Sequence, residues 1–114
     1  MDAAAFARQW ERDWNSQDLD GIMSHFRDDI VFRSTGAVPV LGTPEVRGKP
    51  SLRAYWNAAF ARQPDLHVEV VDVFAGENMV VITYRDQRDV LSAKTMCFDA
   101  DDKVYMASAC FKHI

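Results

Sequence analysis

The sequence predicts an α+β domain in which three helices precede a mostly antiparallel sheet. Three observations carry that expectation. Phe6, Trp10 and Trp14 recur at steps of four, one face of a helix. From Leu66 onward the chain turns to β-branched and aromatic runs broken by "AGEN", by Asp89 and by "DADD". At 114 residues, 48% hydrophobic and 26% charged, residues 1–114 make one domain. A chain of that length buries roughly 65% of the surface it exposes when unfolded, enough for a core without staples.

The first helix is predicted over Ala3 to Asn15 and ends at "NSQD". Asp18 then caps a short helix that turns Leu19, Ile22, Met23 and Phe26 inward. Asp28 and Asp29 fall between that helix and the strand "IVFRS"; side by side on extended chain they point opposite ways, so they read as turn-forming acids rather than a catalytic pair. The stretch "TGAVPVLGTPEVRGKP" is dense in Gly and Pro and reads as a loop. Ser51 caps a third helix to about Arg62, with Leu52, Tyr55, Trp56, Ala59 and Phe60 on its inner face and Pro64 beyond it. Strands follow at about 66–75, 79–88, 91–98 and 103–111.

Pairing across the turns assigns the faces. With one turn centred between Asp89 and Val90, Arg85 opposes Lys94; with the next between Ala100 and Asp101, Lys94 opposes Ala107. One face then carries Val81, Thr83, Arg85, Gln87, Ser92, Lys94, Met96, Phe98, Ala107, Ala109 and Phe111. The other carries Val80, Ile82, Tyr84, Asp86, Leu91, Ala93, Thr95, Cys97, Val104, Met106, Ser108 and Cys110. Both are largely apolar, whereas a half-solvated sheet shows one polar face. Three helices cover one face, so a second copy of the chain is expected on the other, giving a homodimer through the sheet.

A net charge of −4 with no basic stripe argues against nucleic acid and anionic membranes as partners. The start "MDAAAFARQWERD" is neither a signal peptide nor a membrane span. Cys97 and Cys110 form no disulfide framework, which points to a reducing, cytoplasmic setting. His25, His67 and His113 lack metal-ligand spacing, so no metal and no cofactor is expected.

The segments "WERDWNSQDLDGIMSHFRDDIVF", "VRGKPSLRAYWNAAF" and "FDADDKVYMASACF" resemble the scaffold motifs of the nuclear transport factor 2-like superfamily, in its SnoaL-like and ketosteroid isomerase-like branches. The resemblance spans nearly the whole chain. It implies a cone: three helices on a strongly curved, mixed but mostly antiparallel sheet that encloses an apolar pocket. The family hosts isomerases, cyclases, lyases and binding proteins, and a fold alone does not choose among them. Aligned on these motifs, the isomerase's tyrosine and two aspartates fall on Trp10, Ser34 and Lys94, so that chemistry is missing. A SnoaL-type cyclase needs an inward carboxylate, and an epoxide hydrolase of this fold needs an Asp-Arg-Asp relay. The inward face as registered holds no Asp or Glu.

The expected ligand site is therefore Trp10, Trp14, Phe32, Ser34, Tyr55, Trp56, Thr83, Arg85, Gln87, Lys94, Met96 and Phe111. Arg85 and Lys94 at about 5.5 Å would repel by roughly 3 kcal/mol at an effective dielectric of 20. Lys94 would snorkel to the rim, lose its proton, or share an anion with Arg85. The expected partner is a small hydrophobic molecule, with a carboxylate as the bridging group. The competing expectation is a cofactor-free isomerase, cyclase or lyase acting on such a molecule.

Overall fold

The computed structural model describes residues Met1–Ile114. Helix α1 spans Ala3–Asn15, started by the Asp2 carboxylate accepting from the Ala5 N–H, and buries Ala7, Trp10, Asp13 and Trp14 along one stripe. Helix α2, Leu19–Met23, is capped by Asp18 accepting from the Gly21 N–H at 3.0 Å, as the sequence predicts. Helix α4, Lys49–Arg62, begins two residues before the expected cap because Pro50 sits in its first turn, where no N–H is required. It buries Leu52, Trp56 and Phe60.

The predicted loop holds three elements of its own, the first a 3-10 turn at Thr35–Ala37 started by Ser34 Oγ accepting from the Gly36 N–H. Helix α3, Val38–Leu41, starts with Pro39 in its first turn and stops at Gly42, whose φ of +74° is the left-handed conformation glycine adopts without strain. The helices therefore number four, not three. The Gly and Pro residues read as loop signals are the start and stop of a short helix. Strand β2, Glu45–Arg47, follows.

Strands β1 (Phe26–Ser34), β3 (Val68–Gly76), β4 (Met79–Asp86), β5 (Leu91–Phe98) and β6 (Val104–Phe111) complete one sheet in the order β2-β1-β6-β5-β4-β3. The β1–β6 pair is parallel and all others are antiparallel. The sheet is open, with β2 and β3 as its two edges, and this corrects the strongly curved cone implied by the family resemblance. Asp28 and Asp29 lie inside β1 rather than before it; both are exposed, and Asp29 takes a two-pronged bond from Arg27.

The register departs from expectation at two hairpins, for definite reasons. Gln87, Arg88 and Asp89 form a three-residue loop closed by Asp86 N–H donating to the Val90 carbonyl, with Asp89 left-handed at φ +62°. An odd loop reverses parity. Arg85 pairs with Leu91 and Ile82 with Lys94, so Val80, Ile82 and Tyr84 face the helices while Val81, Thr83 and Arg85 face away. The next loop, Ala100 to Asp102, is also odd, but a bulge between Cys97 and Phe98 adds one residue and restores the parity. Lys94 therefore points inward as expected, opposite Ala109 rather than Ala107. Val104, beyond the bulge, turns inward and is fully buried.

No helix is long and apolar enough to cross a membrane.

Candidate functional site

The inward face of the sheet is a grid whose rows run across the strands. Phe32, Ala107, Met96 and Val80 form one row, and Ser34, Ala109, Lys94 and Ile82 the next. Phe111, Ser92 and Tyr84 follow, with Asp86 one step further along β4. Because Ala109 has only a methyl group, a gap is left between Ser34 and Lys94. Helices α1 and α4 roof this gap with Trp10, Trp14, Tyr55 and Trp56, closing a cavity of about 260 Å³. At about 30 Å³ per liquid water, that admits roughly ten non-hydrogen atoms. All three tryptophans of the chain line it.

Lys94 is the one lysine in this wall, and it is 5% exposed. It does not reach the rim. Its Nζ lies 4.3 Å from the ring centre of Trp14, 5.1 Å from Trp56, 5.6 Å from Trp10, 5.8 Å from Phe32 and 6.0 Å from Tyr84. No carbonyl, hydroxyl or carboxylate of the protein accepts a hydrogen bond from it. Burial lowers its pKa from 10.5 to about 7. The ring faces attract the ammonium and oppose that shift, so both protonation states are within reach near neutrality. Burial pushes the neighbouring Tyr84 hydroxyl up to about 12, although a bond to Ser92 acts the other way. Tyr84 is thus a neutral donor throughout the physiological range.

The mouth is polar. Arg62, Gln63, Asp86 and Arg88 line it. Asp86 is the inward carboxylate that the expected register placed on the opposite face. Burial raises its pKa, but bonds from the Arg88 guanidinium and from the Val90 and Arg88 N–H groups outweigh this and hold it below the usual carboxylate range. Its Oδ1 accepts from Arg88 N at 2.8 Å and Val90 N at 3.1 Å, and its Oδ2 from Arg88 Nε at 3.1 Å and Nη2 at 2.8 Å. A carboxylate this fully engaged shapes the turn and is poorly placed to move a proton. Ser34 Oγ accepts from the Gly36 N–H at 3.1 Å and keeps its own proton free for a ligand.

Of the residues expected at the site, Trp10, Trp14, Phe32, Ser34, Tyr55, Trp56, Lys94 and Phe111 share this cavity. Met96 is fully buried behind it, beside a tight void of about 10 Å³ shared with Trp10 and Trp14. The reversed parity removes the other three. Arg85 lies outside, its Nη1 3.5 Å from Asp89 Oδ1, so the expected opposition of Arg85 and Lys94 does not occur. Thr83 Oγ1 takes the Asp72 N–H at the outer side of β3. Gln87 links the loop to Gln63 and to the His67 N–H. Tyr84, Ser92, Asp86, Arg88, Arg62 and Gln63 are the polar lining residues missing from the expected set. The "RDQRDV" stretch held the signal for Tyr84, Asp86 and Arg88, since Asp86 before the loop and a left-handed Asp89 as its last residue suit a three-residue turn and its odd register.

The one buried acid of the chain, Asp13, lies behind the aromatic wall. It accepts from Gln9 Nε2 at 2.8 Å and sits 3.2 Å from His25 Nε2, tying α1 to the chain entering β1. The side chains form no cluster of three or more metal-ligating groups.

Residues 7–105 match the family model described as a SnoaL-like domain. The crystal structure of a SnoaL-like protein of unknown function from Burkholderia thailandensis shares 36% identity over 97% of this chain and 95% of that one, with a TM-score of 0.93. A cystatin-fold protein from Novosphingobium aromaticivorans (21% identity, 96% and 97% covered, TM-score 0.76) has the same fold. So does an NTF2-like protein of unknown function from Mesorhizobium loti (18% identity, 97% and 91% covered, TM-score 0.76). No curated protein matches the chain. The grid of inward residues, the aromatic roof and the match across nearly the whole length agree: this chain belongs to the SnoaL-like family.

Proposed function

We propose that this protein binds a small, flat, hydrophobic carboxylic acid, its ring held among the three tryptophans and its carboxylate on the Lys94 ammonium. The observation that carries this is the Lys94 Nζ, which ends a buried side chain at the cavity surface with no acceptor from its own chain. An ammonium largely removed from water and without a protein acceptor is costly, and a ligand carboxylate in the cavity supplies a charge-assisted bond. The unpaired Arg62 guanidinium at the mouth adds positive charge along the entry path. Binding is favoured over the cofactor-free isomerase, cyclase or lyase alternative because the one carboxylate at the cavity, Asp86, already accepts four hydrogen bonds.

Benzoate is a suitable probe, with benzamide as its uncharged match. Titration followed by tryptophan fluorescence and calorimetry should show benzoate binding at least tenfold more tightly at pH 6.5. Benzoate stays ionised above that pH while Lys94 sheds its proton, so its affinity should fall by up to about tenfold per pH unit above about 7. Equal affinity for the two probes, or a pH-independent benzoate constant, would exclude the Lys94 contact.

The same proposal includes a homodimer through the outer face of the sheet. Val81, Thr95, Cys97, Met106 and Cys110 give that face a charge-free centre, with Arg33 and Arg85 towards its rim, the pattern of a protein interface. Sedimentation should give twice the 13.0 kDa chain mass at micromolar concentration, and Thr95→Arg should return a monomer; a monomeric native chain would remove the dimer. The two free thiols fit a reducing compartment such as the cytoplasm.

A further inference from the structure

We propose that Lys94 also acts as a nucleophile, condensing with small apolar aldehydes or ketones that enter the aromatic cavity to form an imine. This rests on reading the cavity as a small-molecule site, and it adds a covalent activity that carboxylate binding does not require.

The geometry supports it on three counts. First, the amine is held by packing rather than by an acceptor: no carboxylate or carbonyl ties up Nζ, so its lone pair is free whenever the proton is absent. Burial favours that neutral form, as a reactive lysine needs. Second, the space facing it, above Ala109, is walled by aromatic rings and suits a flat carbonyl compound of roughly ten non-hydrogen atoms. Third, neutral hydroxyls on Ser34, Ser92, Tyr55 and Tyr84 line the same cavity and can donate a hydrogen bond to a carbonyl oxygen as charge builds on it. Apart from these tyrosines, the titratable or charged groups facing the cavity are Arg62, Asp86 and Arg88, with Asp86 and Arg88 paired to each other. Asp13 and His25 lie behind Trp10 and Trp14.

The step balances without a further reagent. The Nζ lone pair attacks the carbonyl carbon and the C=O π pair moves to oxygen, which takes a proton. The nitrogen then loses its protons as the C=N bond forms, and the hydroxyl leaves as water. No electron is gained or lost overall.

Benzaldehyde and sodium cyanoborohydride provide the test. The native 114-residue chain is incubated with both at pH 7.5, and labelling is read by intact mass and peptide mapping. Lys103 and Lys112, both exposed, are internal controls for surface amines, and Lys49, half-buried against the Phe26 carbonyl, is a third. Lys94 should gain one benzyl group at least tenfold faster than any of them, and excess benzoate should protect it. The rate should climb from pH 6 to pH 8, opposite in sign to benzoate affinity. Lys94→Met should abolish the fast phase and leave surface labelling unchanged. Labelling spread evenly over the four lysines, or confined to the other three, would overturn the proposal. Toluene and benzoate titrations separate the two claims. If they bind while Lys94 stays unlabelled, the cavity is a binding site and the imine is wrong. If nothing binds and nothing labels, both are wrong.

Discussion

Lys94→Met is expected to stabilise the folded protein at pH 6 by roughly 1–4 kcal/mol and to remove most of the rise in its stability between pH 7 and pH 9.5. The sign follows from proton counting. In the unfolded chain Lys94 holds its proton up to its ordinary value of 10.5, whereas burial lowers the folded value to about 7. Between those two values unfolding takes up a proton, so raising the pH favours the folded state. The slope is at most about 1.4 kcal/mol per pH unit. Below pH 7 both states are protonated, and the fold carries an ammonium largely removed from water, which the ring faces compensate in part. Methionine has a similar length and no charge, so it fills the same channel among Trp10, Trp14 and Trp56 without that cost. Urea unfolding midpoints at pH 6, 7, 8, 9 and 9.5, at one protein concentration, measure this. Surface groups titrate alike in both proteins, so the difference between the curves isolates residue 94. Native stability should climb by roughly 2–3 kcal/mol across the window relative to the variant. Parallel curves would mean that Lys94 keeps its proton in the fold, and the neutral amine required for imine chemistry would be gone with it.

How far the site was legible in the sequence turns on residue parity. The helix faces were readable because apolar spacing reports them directly: Trp10 and Trp14 on α1, Leu52, Trp56 and Phe60 on α4, all buried where the period placed them. The inward lysine was also readable, though by the cancellation of an odd loop against a bulge. The β4 strand was not. Its residues Val80 to Tyr84 are apolar or nearly so on both faces, so alternation could not choose between parities, and the choice fell to a turn whose length was misjudged by its centre. A turn centred between Asp89 and Val90 puts Arg85, Thr83 and Gln87 in the cavity and Tyr84 and Asp86 outside it; the loop centred on Arg88 does the reverse. The open sheet and the short α3 were hidden for another reason. Strand closure depends on twist and edge pairing across many residues, which local spacing does not report. A four-residue helix is too short to show a period.

The second large effect expected is at Trp56, which joins the core to the cavity. Trp56 is 4% exposed, and its ring lies 5.1 Å from Trp14, 5.4 Å from Phe26 and 5.4 Å from Phe32. Trp56→Ala should cost about 3–5 kcal/mol, from the lost burial and from a cavity that its ring-shaped neighbours cannot collapse to fill. Trp56→Phe keeps an aromatic face and should cost about 1–2 kcal/mol. Arg85→Ala, outside the cavity, should stay within about 0.5 kcal/mol of the native chain. The two tryptophan variants also separate packing from electrostatics. Removing the indole enlarges the space beside Lys94 Nζ, 5.1 Å from that ring, and lets water solvate the ammonium. The Lys94 pKa should then move back up towards its free value, so Trp56→Ala should lose stability and flatten the pH slope together, while Trp56→Phe loses a little of the first and keeps the second. If Trp56→Ala weakened the fold yet left the pH slope intact, burial by the aromatic cage would not be what makes Lys94 give up its proton.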